Sequence, residues 1–374
     1  MKPLSMGTGL KDRLRQFDIC LLICTSVLSI MSLLLMYSIS DSLGFGLLRM
    51  QAAATLVGVF VMVFLATVDY QEVVNKLWVI FLIGEIGLLG ITLIFGIAEG
   101  ENQSWLEIGP ITIQPSEFVK GTFIVTFSKH LDMVKHKINH PLSLLGLGLH
   151  AGTIIGLIML SGDLGVALVY CGIVALMLFC AGLSLFYFFG AGVAVFAAIP
   201  YVWDLLKDYQ KKRIIYAFNP EGDPNDAGYQ VLLGRDALAS GGFFGKGIDG
   251  GEHYKKLFAC ENDFAFSTLC EKFGTLGGMI VLICLAIVVI RVFMIARTSR
   301  KDSGAFICIG VAAAIVVQTV ENVGMCLAML PVIGITLPFI SYGGSSTLAM
   351  YLLLGMVHSV KTHRVKYNFE REHA

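Results

Sequence analysis

The chain has 374 residues, of which 56% are hydrophobic and 14% charged, against roughly a quarter charged in a soluble globular domain. Its formal net charge is zero, so no overall basic balance speaks for nucleic acid, and apolar runs long enough to cross ~30 Å of hydrocarbon recur from Phe17 nearly to the C-terminus. The nine cysteines form no CxxC pair and have no histidine at zinc-like spacing, which disfavours a disulfide framework or a metal centre.

A basic start, Lys2, Lys11, Arg13 and Arg15, precedes the first apolar run. No small-residue cleavage site follows it, so the run reads as an uncleaved anchor. Hydropathy predicts ten helices, at 17–38, 50–68, 76–97, 115–131, 142–160, 163–181, 185–203, 264–296, 304–329 and 338–360. An even count puts both termini on one side. Lys and Arg gather in the N-terminal tail, at Lys129, Lys135 and Lys137, at Arg297, Arg300 and Lys301, and after Lys361, all on that same side. The positive-inside rule makes that side the cytoplasm. The expectation is an all-α, polytopic transmembrane bundle of about ten spans, a single transmembrane domain over 1–374 with one long extracellular loop at about 204–262. That loop holds Tyr229 and Ser240-Gly241-Gly242-Phe243-Phe244-Gly245-Lys246-Gly247, turn and aromatic signals of a segment built to fold on the membrane surface. No internal repeat is evident, which weakens an inverted-repeat transporter.

A charge inside or at the edge of a span costs at least a few kcal/mol unless paired, so each is a functional hypothesis. Three places carry them. Gln114-Pro115-Ser116-Glu117 opens the fourth span, with Lys120 three residues after Glu117 and on the same helix face. A self-satisfied ion pair that lets the helix start in the interface competes with a functional reading. Asp163, at the outer start of the sixth span, is a second acid at matching depth, and the two carboxylates with one ammonium predict a compact network. The third place is Glu261-Asn262-Asp263, where the long loop enters the eighth span, followed by Glu271 and Lys272. A carboxylate there is either a solvated helix cap or a base that deprotonates a hydroxyl. Gln318, Glu321 and Asn322 place polar groups in the ninth span, and Ser341-Tyr342-Gly343-Gly344-Ser345-Ser346 interrupts the tenth near its outer end. Such small residues serve close helix packing or let backbone N–H groups face a ligand.

Trp105, Gln114-Pro115-Ser116-Glu117, Asp163-Leu164-Gly165, Asn219-Pro220 with Asp223-Pro224 and Ala227-Gly228-Tyr229, Gly241-Gly242 with Gly245-Lys246-Gly247, Asp263-Phe264 and the Ser341–Ser346 segment stand in the order of the SEDS family of cell-wall polymerases (RodA, FtsW, SpoVE). The chain resembles that family over nearly its whole length, and within it RodA-like members. The resemblance implies a peptidoglycan glycosyltransferase of the bacterial cytoplasmic membrane, a lipid II polymerase that serves cell shape, division or sporulation. Asp263 is similar to the family's essential loop aspartate and is the implied general base. Glu117, Lys120 and Asp163 resemble its membrane-edge charge network, Trp105 an outer-loop tryptophan, and Arg213 a basic residue of the long loop. Lys246, Glu271, Asn322, Ser341, Tyr342, Gly343, Gly344 and Ser345 join them as substrate-binding or supporting positions.

In the implied reaction the 4-hydroxyl of one lipid-linked disaccharide attacks the anomeric carbon of another, with inversion. That needs a base on the acceptor and charge stabilisation on the leaving pyrophosphate. Arg213, Lys246 and Lys120 are candidates for the second duty, which Mg²⁺ or Mn²⁺ would share; no ligand cluster in the sequence specifies a metal. The implied partners are lipid II, a class B penicillin-binding protein that crosslinks the product, and other cell-wall or divisome proteins. Ser104 stands where RodA-like chains usually have Arg or Lys, Gly162 where they have Pro, and Ala259-Cys260-Glu261-Asn262 replaces a usual Pro-Glu-x-His-Thr before the aspartate. A lipid II flippase and an inactive scaffold for a transpeptidase are the rival readings.

Overall fold

All ten apolar runs are helical in the computed structural model, which describes residues 16–363 apart from 100–101, 110, 207 and 224–227. The first three helices are α1 (Ile19–Leu43), α2 (Gly46–Thr67) and α3 (Tyr70–Phe95). A small sheet follows, β1 (Ile97–Glu99), β2 (Asn102–Ile108) and β3 (Ile111–Ile113), then α4 (Pro115–Val134), α5 (Pro141–Leu160), α6 (Leu164–Cys180) and α7 (Leu185–Leu205). The long loop holds two shorter helices, α8 (Asp208–Phe218) and α9 (Tyr229–Ser240), and the bundle closes with α10 (Ala265–Arg297), α11 (Asp302–Cys326) and α12 (Gly344–Thr362). Six of these helices, α1, α2, α3, α5, α10 and α11, are long and apolar enough to cross a membrane by length and composition alone. Large apolar side chains such as Phe60 (71% exposed) and Phe186 (75%) point outward, as in a bundle whose solvent is lipid. The chain is an all-α, multi-pass membrane protein.

Local chemistry sets the helix ends. The Asp18 carboxylate accepts from Leu21 N at 3.1 Å and so caps α1, and it also pairs with Arg291 of α10 and, at 2.7 Å, with Lys361 of α12. Asp69 caps α3 through Gln71 N at 2.9 Å, so this helix starts at Tyr70 and not at 76, its first turn lying outside the apolar run. Helix α2 packs tightly against α12. A Cβ on Gly58 would come within 2.5 Å of the Tyr351 ring, and one on Gly355 within 3.0 Å of Met62, so glycine on each helix lets the two approach.

Three features depart from the expected spans. The connection between α3 and α4 is an antiparallel sheet in the order β1-β2-β3, with Trp105 opposite Ile97 and Ile108 opposite Ile111. The tenth helix begins at Gly344 and not at 338, and residues 327–343 form an irregular loop. Pro331 and Pro338 lack a donor for a helix ladder, and Ala328, Gly334 and Phe339 adopt φ of 57°, 74° and 65°. The third is a break in α10 at Gly274, φ 72°. Residues 241–247 dock on the opened turn: Lys246 N donates to Glu271 O at 2.9 Å, Gly247 N to Lys272 O at 3.0 Å, and Thr275 N to Gly242 O at 2.8 Å. A Cβ on Gly274 would stand 2.2 Å from Phe243 O, so only glycine admits this contact.

Candidate functional site

The 327–343 loop gathers most of the sequence-predicted positions. At its centre is Asp263, half-buried in the last residues before α10. Ala259, φ 51°, turns the chain so that its carbonyl accepts from Asn262 N (3.0 Å) and Phe264 N (3.2 Å), and Thr268 Oγ1 donates to Cys260 O at 2.8 Å. From α11, Asn322 Nδ2 donates to Asp263 O at 2.9 Å and to Ile335 O at 2.7 Å. Ser341 Oγ donates to Asn262 O at 2.6 Å and accepts from Leu337 N at 2.8 Å, while Tyr342 N donates to Glu261 O at 2.8 Å. Every backbone carbonyl from Glu261 to Asp263 is therefore fixed by α11 or the loop. Gly334 lies against the Asp263 carboxylate: a Cβ there would sit 3.4 Å from Oδ2. Burial, and then the Glu261 carboxylate, push the Tyr342 phenol above its ordinary value.

The same loop reaches the fourth and sixth spans. Gln114 N donates to Ser345 Oγ at 3.2 Å, and Gln114 Nε2 to Asp163 Oδ2 at 2.8 Å. Asp163 Oδ1 caps α6 by accepting from Val166 N at 3.1 Å, and Gly165 faces Ile333 O so closely that a Cβ would be 2.6 Å away. One turn further along α4, Lys120 Nζ meets Glu117 Oε1 at 2.8 Å, both side chains essentially without exposure. The expected three-membered network is thus two linked pairs, Lys120 with Glu117 and Asp163 with Gln114. Both Asp163 and Glu321 lie within electrostatic reach of the Lys120 charge. Gly343 and Gly344 stand at the start of α12, and a side chain on Gly344 would meet open space.

The other predicted positions lie elsewhere. Trp105 is half-buried on β2, whose Gln103 N donates to Ser161 O at the end of α5 at 2.9 Å. Glu271 accepts from the backbone N–H of Glu252, His253 and Tyr254 at 2.8–3.0 Å, and Lys272 Nζ donates to Ile248 O and Gly250 O at 2.9 and 2.7 Å. The pair thus pins the end of the long loop to α10. Lys246 is exposed on that loop. The side chain of Arg213, on α8, falls outside the described residues. Among the described residues no group of three or more His, Cys, Asp or Glu is placed to hold a metal ion.

Two residues at and below the site had not been singled out. Gln51 of α2 donates to Ser32 Oγ, Ser341 O and Thr347 Oγ1 at 3.0–3.3 Å and accepts from Gly343 N at 3.3 Å, tying the loop to the bundle; a lone amide at the head of an apolar span was its signal. The three charged places also leave out Glu85, which lies in the middle of α3 and is 2% exposed. It was the only charge between Leu77 and Phe95.

A family profile described as "Cell cycle protein", that of FtsW, RodA and SpoVE, matches residues 14–366. The chain belongs to the FtsW/RodA/SpoVE family. Among relatives within it, the stage V sporulation protein E of Bacillus subtilis (strain 168) is 32% identical over 370 residues, 92% of this chain and 97% of that protein. The peptidoglycan glycosyltransferase MrdB of Escherichia coli (strain K12) is 30% identical over 359 residues, 93% and 94% of the two chains. A chain of a peptidoglycan synthase complex, studied for its coordination of polymerization and crosslinking, superposes with a TM-score of 0.82 at 25% identity, covering 94% of this chain and 99% of its own. Thermus thermophilus RodA superposes with a TM-score of 0.71 at 23% identity over 94% and 98% of the two chains, a likeness of fold. The FtsW/RodA/SpoVE assignment thus covers every helix described above.

Proposed function

We propose that this chain is a peptidoglycan glycosyltransferase that polymerises a lipid-linked disaccharide, lipid II, at the outer face of the bacterial cytoplasmic membrane, with Asp263 as the general base. The observation that carries the reading is the clamp on Glu261–Asp263 by Asn322, Ser341 and Tyr342: it holds a half-buried carboxylate where a polar loop meets an apolar helix. Backbone fixed on three sides favours a group that must keep its geometry during reaction over a solvated helix cap.

In the step proposed, Asp263 takes the proton of the acceptor 4-hydroxyl as that oxygen bonds to the anomeric carbon of the donor. The bond from that carbon to the pyrophosphate oxygen breaks, and its electron pair leaves with the polyprenyl pyrophosphate, inverting the centre. Lys246 and Arg213 of the long loop are the cations proposed for the leaving charge, Lys120 being buried against Glu117, and the N-terminus of α12 at Gly344 adds a partial positive charge. An apolar groove lined by Leu65, Val68, Phe81, Val125, Leu352 and Met356, among α2, α3, α4 and α12, offers hydrocarbon surface to an isoprenoid tail.

The charge asymmetry of the loops supports a cytoplasmic side for both termini. The partner proposed is a class B penicillin-binding protein, in keeping with the synthase complex that this fold matches. Translocation of the same lipid needs a polar passage through the opposite half of the bundle, whereas the polar side chains in its interior, Glu85, Thr126 and His150, are sealed at 2%, 0% and 9% exposure. The test is polymerisation of purified lipid II by the purified chain, with and without such a partner. Glycan product supports the reading; its absence from both arms overturns it.

A further inference from the structure

In the half of the bundle away from Asp263, a continuous chain of hydrogen-bonding side chains runs through the interior. Thr126 Oγ1 of α4 lies 3.2 and 3.4 Å from the two carboxylate oxygens of Glu85 and 3.3 Å from His150 Nε2 of α5. His150 Nδ1 lies 3.2 Å from His130 Nδ1, the two rings stacked at 5.5 Å. Glu85, Thr126 and His150 are buried, at 2%, 0% and 9% exposure, and Phe123 and Phe127 stand edge-on to His150. His130 is half-buried, one turn before the end of α4. That end is anchored by the Lys135–Asp302 ion pair at 2.7 Å, opposite the end that carries Gln114 and Glu117.

The donor count is compatible with an inward direction. Two Nδ1 atoms in contact require one ring to donate and the other to accept. If His130 donates, His150 is protonated on Nε2 and donates to Thr126 Oγ1, whose single hydroxyl proton then goes to Glu85. Thr126 Oγ1 also faces Phe123 O of its own helix at 3.1 Å, so its proton is shared between that carbonyl and Glu85; in this tautomer the links point from the edge of the bundle inward. The groups around Glu85 add no competing charge among the described residues. α4 offers Thr122 and Thr126, α5 offers His150, α6 offers Tyr170, and no charged side chain of α11 or α12 acts on it.

We propose that Glu85 is a proton-binding site inside the membrane, loaded from the face opposite Asp263 through His130, His150 and Thr126. A proton taken up at His130 Nε2 releases the Nδ1 proton to His150 Nδ1. His150 passes its Nε2 proton to Thr126 Oγ1, and Thr126 passes its own to a carboxylate oxygen of Glu85. Glu85 gains one proton, and each imidazole is left as its other tautomer. Tyr170, whose hydroxyl donates to Ser116 O at 2.7 Å, lies within electrostatic reach of Glu85, Glu117 and Asp163 alike, so the charge state of Glu85 is felt beside the site.

The test is infrared spectroscopy of the full chain in lipid nanodiscs, reading the carbonyl band of protonated carboxyl groups and its rate of shift on transfer to D₂O. This readout does not depend on glycosyl transfer. Glu85→Gln should remove one component of the band, and His130→Phe, His150→Phe and Thr126→Val should each slow deuteration of that component about tenfold or more. A band that Glu85→Gln leaves intact at every pH overturns the proposal, as does an unchanged deuteration rate in the histidine variants. Should His150→Phe fail to fold, His130→Phe, nearer the surface, carries the same test.

Discussion

The side-chain amide of Asn322 bonds two backbone carbonyls at once, that of Asp263 at 2.9 Å and that of Ile335 at 2.7 Å, and so joins the aspartate segment to the 327–343 loop. Asn322→Asp keeps the shape and removes both donors. Leaving two buried carbonyls unpaired should cost about 1–3 kcal/mol of stability. If Asn322 positions Asp263, kcat for lipid II polymerisation should fall more than KM changes. An unaltered kcat with a lowered melting temperature would reduce Asn322 to a packing role.

Asp263→Asn retains size and hydrogen bonding but cannot take a proton. The variant should fold and bind lipid II while losing polymerisation by roughly 10²–10⁴-fold. Glu261→Gln, two residues upstream, should retain most activity, because the clamp reaches Glu261 through its backbone carbonyl. Near-normal product from Asp263→Asn would transfer attention to Glu261.

The Lys120–Glu117 pair is buried, so removing one partner strands the other charge in low dielectric. Lys120→Met alone should destabilise by about 3–5 kcal/mol, and Glu117→Gln combined with Lys120→Met by clearly less. Asp163 is held by Gln114 and by Val166 N but lies within reach of both charges, so adding Asp163→Asn should show a coupling smaller than that of the Lys120–Glu117 pair. Melting curves of the monodisperse detergent-solubilised variants measure this, and equal losses for the single and double variants would deny the coupling.

Gly274→Ala combines a backbone conformation essentially restricted to glycine (φ 72°, ψ −179°), worth about 1–3 kcal/mol for a residue with a Cβ, with a Cβ 2.2 Å from Phe243 O. Residues 241–250 should detach from α10 and become sensitive to protease added from outside, with polymerisation reduced. Unchanged digestion would show that the loop docks without the break.

Topology is open to labelling. In a background free of native thiols, cysteines replacing Glu107 or Glu221 should react with a membrane-impermeant maleimide from outside, and one replacing Lys137 should not; labelling of the last would remove the ten-span arrangement. With its native thiols, Cys260 should stay unlabelled in the folded chain, since burial and then the Glu261 carboxylate push its thiol above the ordinary range.

Much of this was legible in the sequence because a bilayer writes long messages: each span is a run of apolar residues that no loop imitates. The residues beside Asp263 were legible for a related reason, since Asn322 and Ser341 are polar groups where hydrocarbon was expected. What escaped depended on distant pairing. The strands at 97–113 are three to seven residues long, too short for any periodicity to register. The break at Gly274 exists because residues 241–247 supply its missing partners, and nothing local to α10 announces them. The partner of Asp163 was assigned by charge, as Lys120, whereas geometry gave it to the neutral amide of Gln114.

The 327–343 loop touches α1 through Ser32 and Ile340 O, α2 through Gln51, α6 through Gly165, and α11 through Asn322. An aspartate held this way has no private support: its position is the resultant of several helices whose outer surfaces are open to lipid. An apolar compound wedged between α1 and α2 would therefore slow the reaction from within the bilayer without competing for the sugar, and its potency would follow its partitioning into the membrane more closely than its likeness to the substrate.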